Sequence, residues 1–249
     1  MVQEFCLQHA PHHGCFITGT DTGVGKTVVT AALTLCLKQR GISVAVMKPI
    51  ETGCSNDGTL ASDAECLRTI MASTASLDVI SPYRFALPLA PLAAARAAGV
   101  TIEIDRISSA YHDLARGYDC VLVEGVGGLM VPLSEKMDVR DLIASLRVPT
   151  LIVGRAALGG VNHALLTIDA LRQRAIPLVG IVLNQLVSEP NHEHAQSTVE
   201  LIRERSGVPV FGPLPYESEC RLNWMAGVNK IAHDPAIRSL AEWLVPLSR

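Results

Sequence analysis

The chain has 249 residues, 49% of them hydrophobic and 18% charged, with a formal net charge of −3. That length suits one large α/β domain, and no run of Lys and Arg forms the basic stripe that a nucleic-acid backbone needs. Aromatics make up only 4%, so Val, Leu, Ile and Ala must fill the core, a palette that suits strands buried on both faces by helices.

Residues 1–14 carry Glu4, His9, His12 and His13 and no apolar core, so no secretory signal is read there. Residues 1–13 are expected to form a poorly ordered tail. Cys15-Phe-Ile-Thr reads as a strand, and Lys26 to Gln39 as a helix closed by Arg40-Gly41. Ser43 to Lys48 is a second strand. A helix starts near Ser62, with Ser62 as N-cap and Glu65 completing a capping box. Ile104 to Arg116 is helical and stops at Gly117, and Cys120-Val-Leu-Val-Glu is a strand followed by a turn, Val126-Gly127-Gly128. Thr150 to Val153 is a strand, Gly160 to Arg174 a helix, and Leu178 to Leu183 a strand. His192 and His194 fall in a polar loop after Pro190, Glu193 to Ser206 is a helix, Pro209 to Gly212 a last strand, and Pro235 to Leu247 a closing helix. The most apolar stretch, Val148 to Val161, is interrupted by Pro149 and Arg155 and is too short to span a bilayer. The expected architecture is an α/β fold of the P-loop NTPase kind, a mostly parallel sheet with helices on both faces in a single domain over 1–249. The expected setting is the cytoplasm, with no membrane and no nucleic acid as partner.

Seven cysteines, at 6, 15, 36, 54, 66, 120 and 220, form no CxxC pair. They read as reduced, buried thiols rather than a disulfide framework or a zinc site. His12-His13 and His192/His194 read as solvated histidines, and Met130, Trp224 and Trp243 as packing residues.

The chemistry gathers on Gly19-Thr-Asp-Thr-Gly-Val-Gly-Lys-Thr27, between the first strand and the first helix. Glycines let backbone amides approach an anion, and the helix N-terminus adds partial positive charge. Lys26 supplies a cation for the β- and γ-phosphates, and the Thr27 hydroxyl is placed to ligate magnesium. The loop departs from the usual spacing, because position 20 is Thr and the nearest Gly is Gly19. Glu124 ends an apolar strand where a second magnesium ligand belongs, although a strand-end acid can also face solvent. Asp63 is a third candidate, and near a helix start it reads equally well as a capping acid. Lys48 ends the second strand, and spacing alone leaves it open between a ligand-facing and a snorkelling lysine.

Several motifs, taken together and in order, resemble dethiobiotin synthetase. They are Phe16-Ile-Thr-Gly-Thr-Asp-Thr-Gly-Val-Gly-Lys-Thr27 with its offset glycine, Lys48-Pro-Ile-Glu-Thr-Gly53, Ser62-Asp63, Val123-Glu-Gly-Val-Gly-Gly128, Leu158-Gly-Gly-Val-Asn-His-Ala-Leu-Leu-Thr167, Asn184 and Leu214-Pro215. The resemblance implies a ligase that closes the ureido ring of dethiobiotin from 7,8-diaminononanoate and CO2 (or bicarbonate) at the expense of ATP, with Mg2+. The route it implies runs through a carbamate and a carbamic–phosphoric anhydride. It implies ATP contacts from Gly23, Val24, Gly25, Lys26, Thr27 and Val28, from Asp63, and from Glu124, Gly125, Val126 and Gly127. Asn184, Gln185, Pro215, Tyr216 and Glu217 would line the base. Lys48 and Lys26 would be catalytic, and Thr27, Asp63 and Glu124 would hold the metal. Thr20, Thr52 and Asn162 would bind substrate, Asn162 reaching the neighbouring subunit of a homodimer. Two positions depart from the pattern: Gly23 stands where some members have a charged residue, and Gln185 where an acid can occur.

Two other readings compete. A related amidoligase of the cobyrinate kind needs a further glutamine amidotransferase domain, for which the length leaves no room. A switch ATPase of the partitioning or septum-placing kind usually carries a second lysine early in the loop, and Thr20-Asp21-Thr22 has none.

Overall fold

The computed structural model describes residues 14–54, 62–72, 75–188 and 192–245. The elements in chain order are β1 (Gly14–Gly19), α1 (Lys26–Gln39), β2 (Val44–Met47), β3 (Ile50–Thr52), α2 (Asp63–Met71), α3 (Leu77–Ile80), β4 (Tyr83–Phe85), α4 (Pro91–Ala98) and α5 (Ile104–Gly117). They continue with β5 (Cys120–Gly128), α6 (Val139–Leu146), β6 (Thr150–Arg155), α7 (Gly160–Arg172), β7 (Leu178–Asn184), α8 (His192–Ser206), β8 (Val210–Leu214), α9 (Glu219–Leu222), α10 (Trp224–Ala232) and α11 (Pro235–Leu244).

Six strands form one sheet in the order β2-β5-β1-β6-β7-β8, and every pairing in it is parallel. Parallel pairing forces each crossover onto a face of the sheet, so the strands are shielded on both sides. All of β1 is buried, and so is nearly all of β7. The helices follow from their stripes: α5 buries Ile107, Tyr111 and Leu114, spaced one and two turns apart, and leaves its other face to solvent. Around α1 pack α2, α10 and α11, while α5 packs on α6 and α7 on α8. Strand β8 touches both α8 and α11, one from each helix group.

The chain enters the sheet at β1 in the centre, runs out to β2 at one edge, returns as β5 beside β1, and then builds β6, β7 and β8 on the other side. Strand order therefore reverses at β1. The crevice outside the carboxyl ends of β5, β1 and β6 is where such a sheet binds ligand.

Four local expectations change. Val126 to Gly128 is strand rather than turn: β5 continues to Gly128, and the register shifts between Ile17 and Gly19 let it stay paired with β1. His192 and His194 lie in α8 rather than in a loop. The last helix ends at Leu244. Cys54, Cys66 and Cys220 are only half-buried, unlike the buried Cys15, Cys36 and Cys120. The tail with His12 and His13, and Cys6, lie outside the described residues. No helix among the described residues is long and apolar enough to cross a membrane.

Candidate active site

The phosphate loop gets its shape from two glycines. Gly25 is the N-cap of α1 and has a left-handed backbone, φ 91°. A Cβ there would stand 2.1 Å from the Asn184 amide nitrogen, so a side chain at 25 would be strained and would have to displace that amide. The Asn184 amide in turn donates to the Val24 carbonyl at 3.2 Å and ties the loop to the end of β7. Gly19 explains the offset spacing: a Cβ there would lie 2.7 Å from the Asp21 carbonyl oxygen and 2.9 Å from Lys26 Nζ. The missing side chain is what lets Lys26 fold back and donate to that carbonyl at 3.1 Å.

Two strands deliver the next groups. Glu124 is the middle residue of β5 rather than its end, because the strand runs on to Gly128, and it is fully buried; Lys48, just past β2, is nearly so. Lys48 donates to Glu124 Oε1 at 2.5 Å and to Asp63 Oδ2 at 3.0 Å. The Thr27 hydroxyl donates to the same Glu124 oxygen at 2.8 Å. Glu124 Oε2 is buried with no hydrogen-bond partner among the described residues. Asp63 is presented by the first turn of α2, whose start is fixed twice. Ser62 and Glu65 form the capping box, and Glu51 of β3 accepts the Asp63 and Ala64 amides at 2.6 and 3.2 Å.

These contacts set the charges. Burial pulls the Lys48 ammonium toward deprotonation, but Glu124 and Asp63 together outweigh it and hold the proton more tightly than in an ordinary lysine. Lys48 is therefore a fixed cation, suited to neutralising charge and not to taking up a proton. Lys26 goes the other way: burial first, then the Lys48 charge, lower it to about 8. Burial, then Asp63, raises the Glu51 carboxyl.

The result is a cleft of about 480 Å³. It brings together Gly23, Gly25, Lys26, Thr27, Val28, Lys48, Thr52, Asp63, Glu124, Val126 and Gly127 of the expected site residues. Thr27, Asp63 and Glu124 offer an all-oxygen donor set of the kind hard divalent cations take.

A family model described as an AAA domain matches residues 13–222. The ATP-dependent dethiobiotin synthetase BioD of Thermodesulfovibrio yellowstonii is 43% identical over 83% of this chain and 90% of its own length. That of Bacillus subtilis strain 168 is 36% identical over 81% of this chain and 87% of its own. The chain belongs to the dethiobiotin synthetase family. Among solved structures, the MinD cell division protein of Aquifex aeolicus superposes with a TM-score of 0.57 at 18% identity, covering 94% of this chain and 97% of its own. A ParA family ATPase from Chlorobium tepidum gives 0.56, also at 18%, covering 93% and 98%. Those two share the fold.

The other residues expected from the dethiobiotin synthetase pattern lie outside the cleft. Val24 is buried and contributes its carbonyl to Asn184. Gly125 backs onto the Phe16 ring. Thr20 sits against Gly154 of β6, its hydroxyl buried without a partner among the described residues. Asn184 and Gln185 are buried at the end of β7, beside the turn of Pro215, Tyr216 and Glu217 that follows β8, and Gln185 donates its backbone amide to Leu214. Asn162 is exposed on α7. His163 Nδ1 lies 3.3 Å from Arg155 Nη2, which also reaches Asp21 at 3.2 Å.

Four cleft residues were not expected at the site: Thr22 and Glu51, Cys66, which was read only as a buried thiol, and Trp224, which was read as a packing residue. Thr22 and Glu51 lie inside the motifs Gly19–Thr27 and Lys48–Gly53, which was signal enough to include them. Cys66 sits one turn beyond Asp63, so the helix reading already placed both on one face. Nothing in the sequence around Trp224 marks it.

Proposed function

We propose that this protein closes the ureido ring of dethiobiotin from 7,8-diaminononanoate and CO2, using ATP and Mg2+ and releasing ADP and phosphate. The observation that carries the reading is the single network Thr27–Glu124–Lys48–Asp63. It sets a phosphate loop, two acids and a permanently charged lysine around one cleft. The names carried by relatives at 36–43% identity support the same activity.

The chemistry needs little covalent help from protein. One amine attacks CO2 and loses a proton, giving a carbamate. A carbamate oxygen attacks the γ-phosphorus, and the bond to the ADP oxygen breaks. The second amine then attacks the carbamoyl carbon, phosphate departs with the bonding electrons, and a proton is lost as the ring closes. Positioning and charge neutralisation dominate such phosphoryl transfer. Lys26 and the loop amides of Gly23 to Val28 hold phosphate. Lys48 steadies the negative charge shared by carbamate and γ-phosphate. Thr52, beside it in the cleft, hydrogen-bonds the amine substrate, and Thr20, just past β1, supports it. The base is read by Asn184, Gln185 and the turn Pro215 to Glu217, and Gly125 keeps the strand close behind the phosphates.

Magnesium fits the oxygens of Thr27, Asp63 and Glu124, and the unpartnered Glu124 Oε2 supports a further charge at this point. When bound, the ion neutralises charge on the β- and γ-phosphates.

The working unit is a homodimer of single-domain subunits. Asn162 is exposed away from its own cleft, and along α7 and the turn before it Leu158 and Leu166 are exposed one turn either side. That stripe suits a partner surface to which Asn162 is delivered.

The deciding assay is ATP- and magnesium-dependent fixation of labelled bicarbonate into acid-stable product with diaminononanoate. No product, alongside steady ATP hydrolysis in the absence of that amine, overturns the reading.

A further inference from the structure

The family model ends at residue 222, yet one wall of the cleft comes from beyond it. Trp224, the first residue of α10, lines the same cleft as Gly23, Val28 and Lys48. Its ring is half-buried, and its indole N–H is buried without an acceptor among the described residues. A buried donor left unpaired is costly in a ring that serves packing alone. The other tryptophan, Trp243, shows what packing looks like: it meets Phe211 edge to face at 6.3 Å, away from the cleft.

The placement of α10 says which ligand the ring meets. Helix α10 packs along α1, the helix that opens with the phosphate loop. It is also tied to the turn after β8. Lys230 pairs with Glu217 at 3.6 Å and with Glu219, and Gly227 lets α10 approach the Cys220 backbone so closely that a Cβ would sit 2.3 Å from its nitrogen. Residues 215–232 are thus one braced unit, running from the turn beside Asn184 and Gln185 to the indole at the cleft.

We propose that Trp224 is a nucleotide-binding residue, its indole face packing against the nucleoside portion of the nucleotide held by the loop. The inference rests on reading the cleft as a nucleotide site. A flat π-face suits a nucleobase or ribose, and base–aromatic stacking is the usual return from such a ring.

The test uses the full-length chain with Trp243→Phe, which leaves Trp224 as the sole tryptophan. Binding of ADP and ATP is first established by calorimetry. At saturation the emission of Trp224 is expected to shift or quench. Trp224→Ala is expected to raise the Kd for ADP and the KM for ATP roughly tenfold, with the KM for the diamine unchanged, and Trp224→Phe to restore most of the affinity. Unchanged emission in nucleotide-saturated protein overturns the proposal, as does unchanged affinity in a folded Trp224→Ala. A rise confined to the KM of the diamine also overturns it, since the ring then faces the amine. Failure of nucleotide to bind the unmutated chain would instead overturn the reading of the cleft itself.

Discussion

Lys48 Nζ lies 2.5 Å from Glu124 Oε1, and neither side chain is more than marginally open to solvent. Two opposite charges so buried are strongly interdependent, because each is the main compensation for the other's lost hydration. The pair joins stability to chemistry: the groups that would neutralise phosphate also neutralise one another.

Lys48→Ala should therefore fail in two ways. Turnover should fall by about 1,000-fold, the scale seen when one preorganised charge-stabilising group is removed. Urea unfolding of the same variant should show a loss of about 3–5 kcal/mol, since Glu124 is left buried and unpaired. Nucleotide binding by calorimetry should persist, because Lys26 and the loop amides remain. Full activity in this variant would remove Lys48 from the mechanism.

Glu124→Gln keeps the shape and takes away the charge. Loss of this proposed metal ligand should cost at least the roughly tenfold that loss of an outer partner costs. The magnesium concentration giving half-maximal rate should rise by that factor or more, and excess EDTA should abolish turnover in both proteins. An unshifted magnesium curve would exclude Glu124 as a ligand.

Leu158→Asp with Leu166→Asp should separate the subunits. Both residues are exposed and lie outside the cleft, so light scattering should move from the dimer mass to the monomer mass without unfolding. Activity should fall with dissociation. A double variant that runs as the unmutated protein does would place the contact elsewhere.

Asp138 offers a pH test away from the cleft. It caps α6 and takes a forked contact from Arg140 at 2.6 and 3.1 Å. Burial tends to raise its carboxyl, but the Arg140 hydrogen bonds outweigh burial and hold it below the usual range. The folded state thus binds its proton less readily than the unfolded state. Its contribution is complete above the unfolded value, about 3.9, and is lost as pH falls through the lower folded one. Asp138→Ala should cost about 1–2 kcal/mol at neutral pH by loss of the cap. The difference from the unmutated protein should shrink in acid, measured by urea unfolding at several pH values. A gap constant down to the acid limit would contradict the assignment.

The sheet was legible because each central strand is a run of β-branched and aliphatic residues followed by a helical stripe. The capping box at Ser62 and Glu65 was legible because it is a local, four-residue device. The region 75–102 was not read. Nor was β3, outside it at Ile50–Thr52: β3 and β4 are three residues each and, among the described residues, pair with each other. Helix α4 did carry signals, Pro91 at its start and the left-handed Gly99 at its end, in an Ala-rich run of low contrast. In the cleft, residues on strand ends followed from the rule that parallel sheets bind ligand at their carboxyl edge. Trp224 did not, because its approach to the loop depends on how α10 lies across α1, a tertiary fact with no local period.

The contact between Gly25 and Asn184 limits how this site could evolve. Asn184 occupies the space a side chain at position 25 would need and holds the Val24 carbonyl. Any larger residue at 184 would push on the phosphate loop and, on the proposed role of Asn184, alter the reading of the base. Selection for a different nucleobase could not act freely there. It would have to work through neighbours with more latitude, Gln185 and the turn of Tyr216 and Glu217, so relatives that diverge in base preference should differ at those positions while keeping Asn184 opposite glycine.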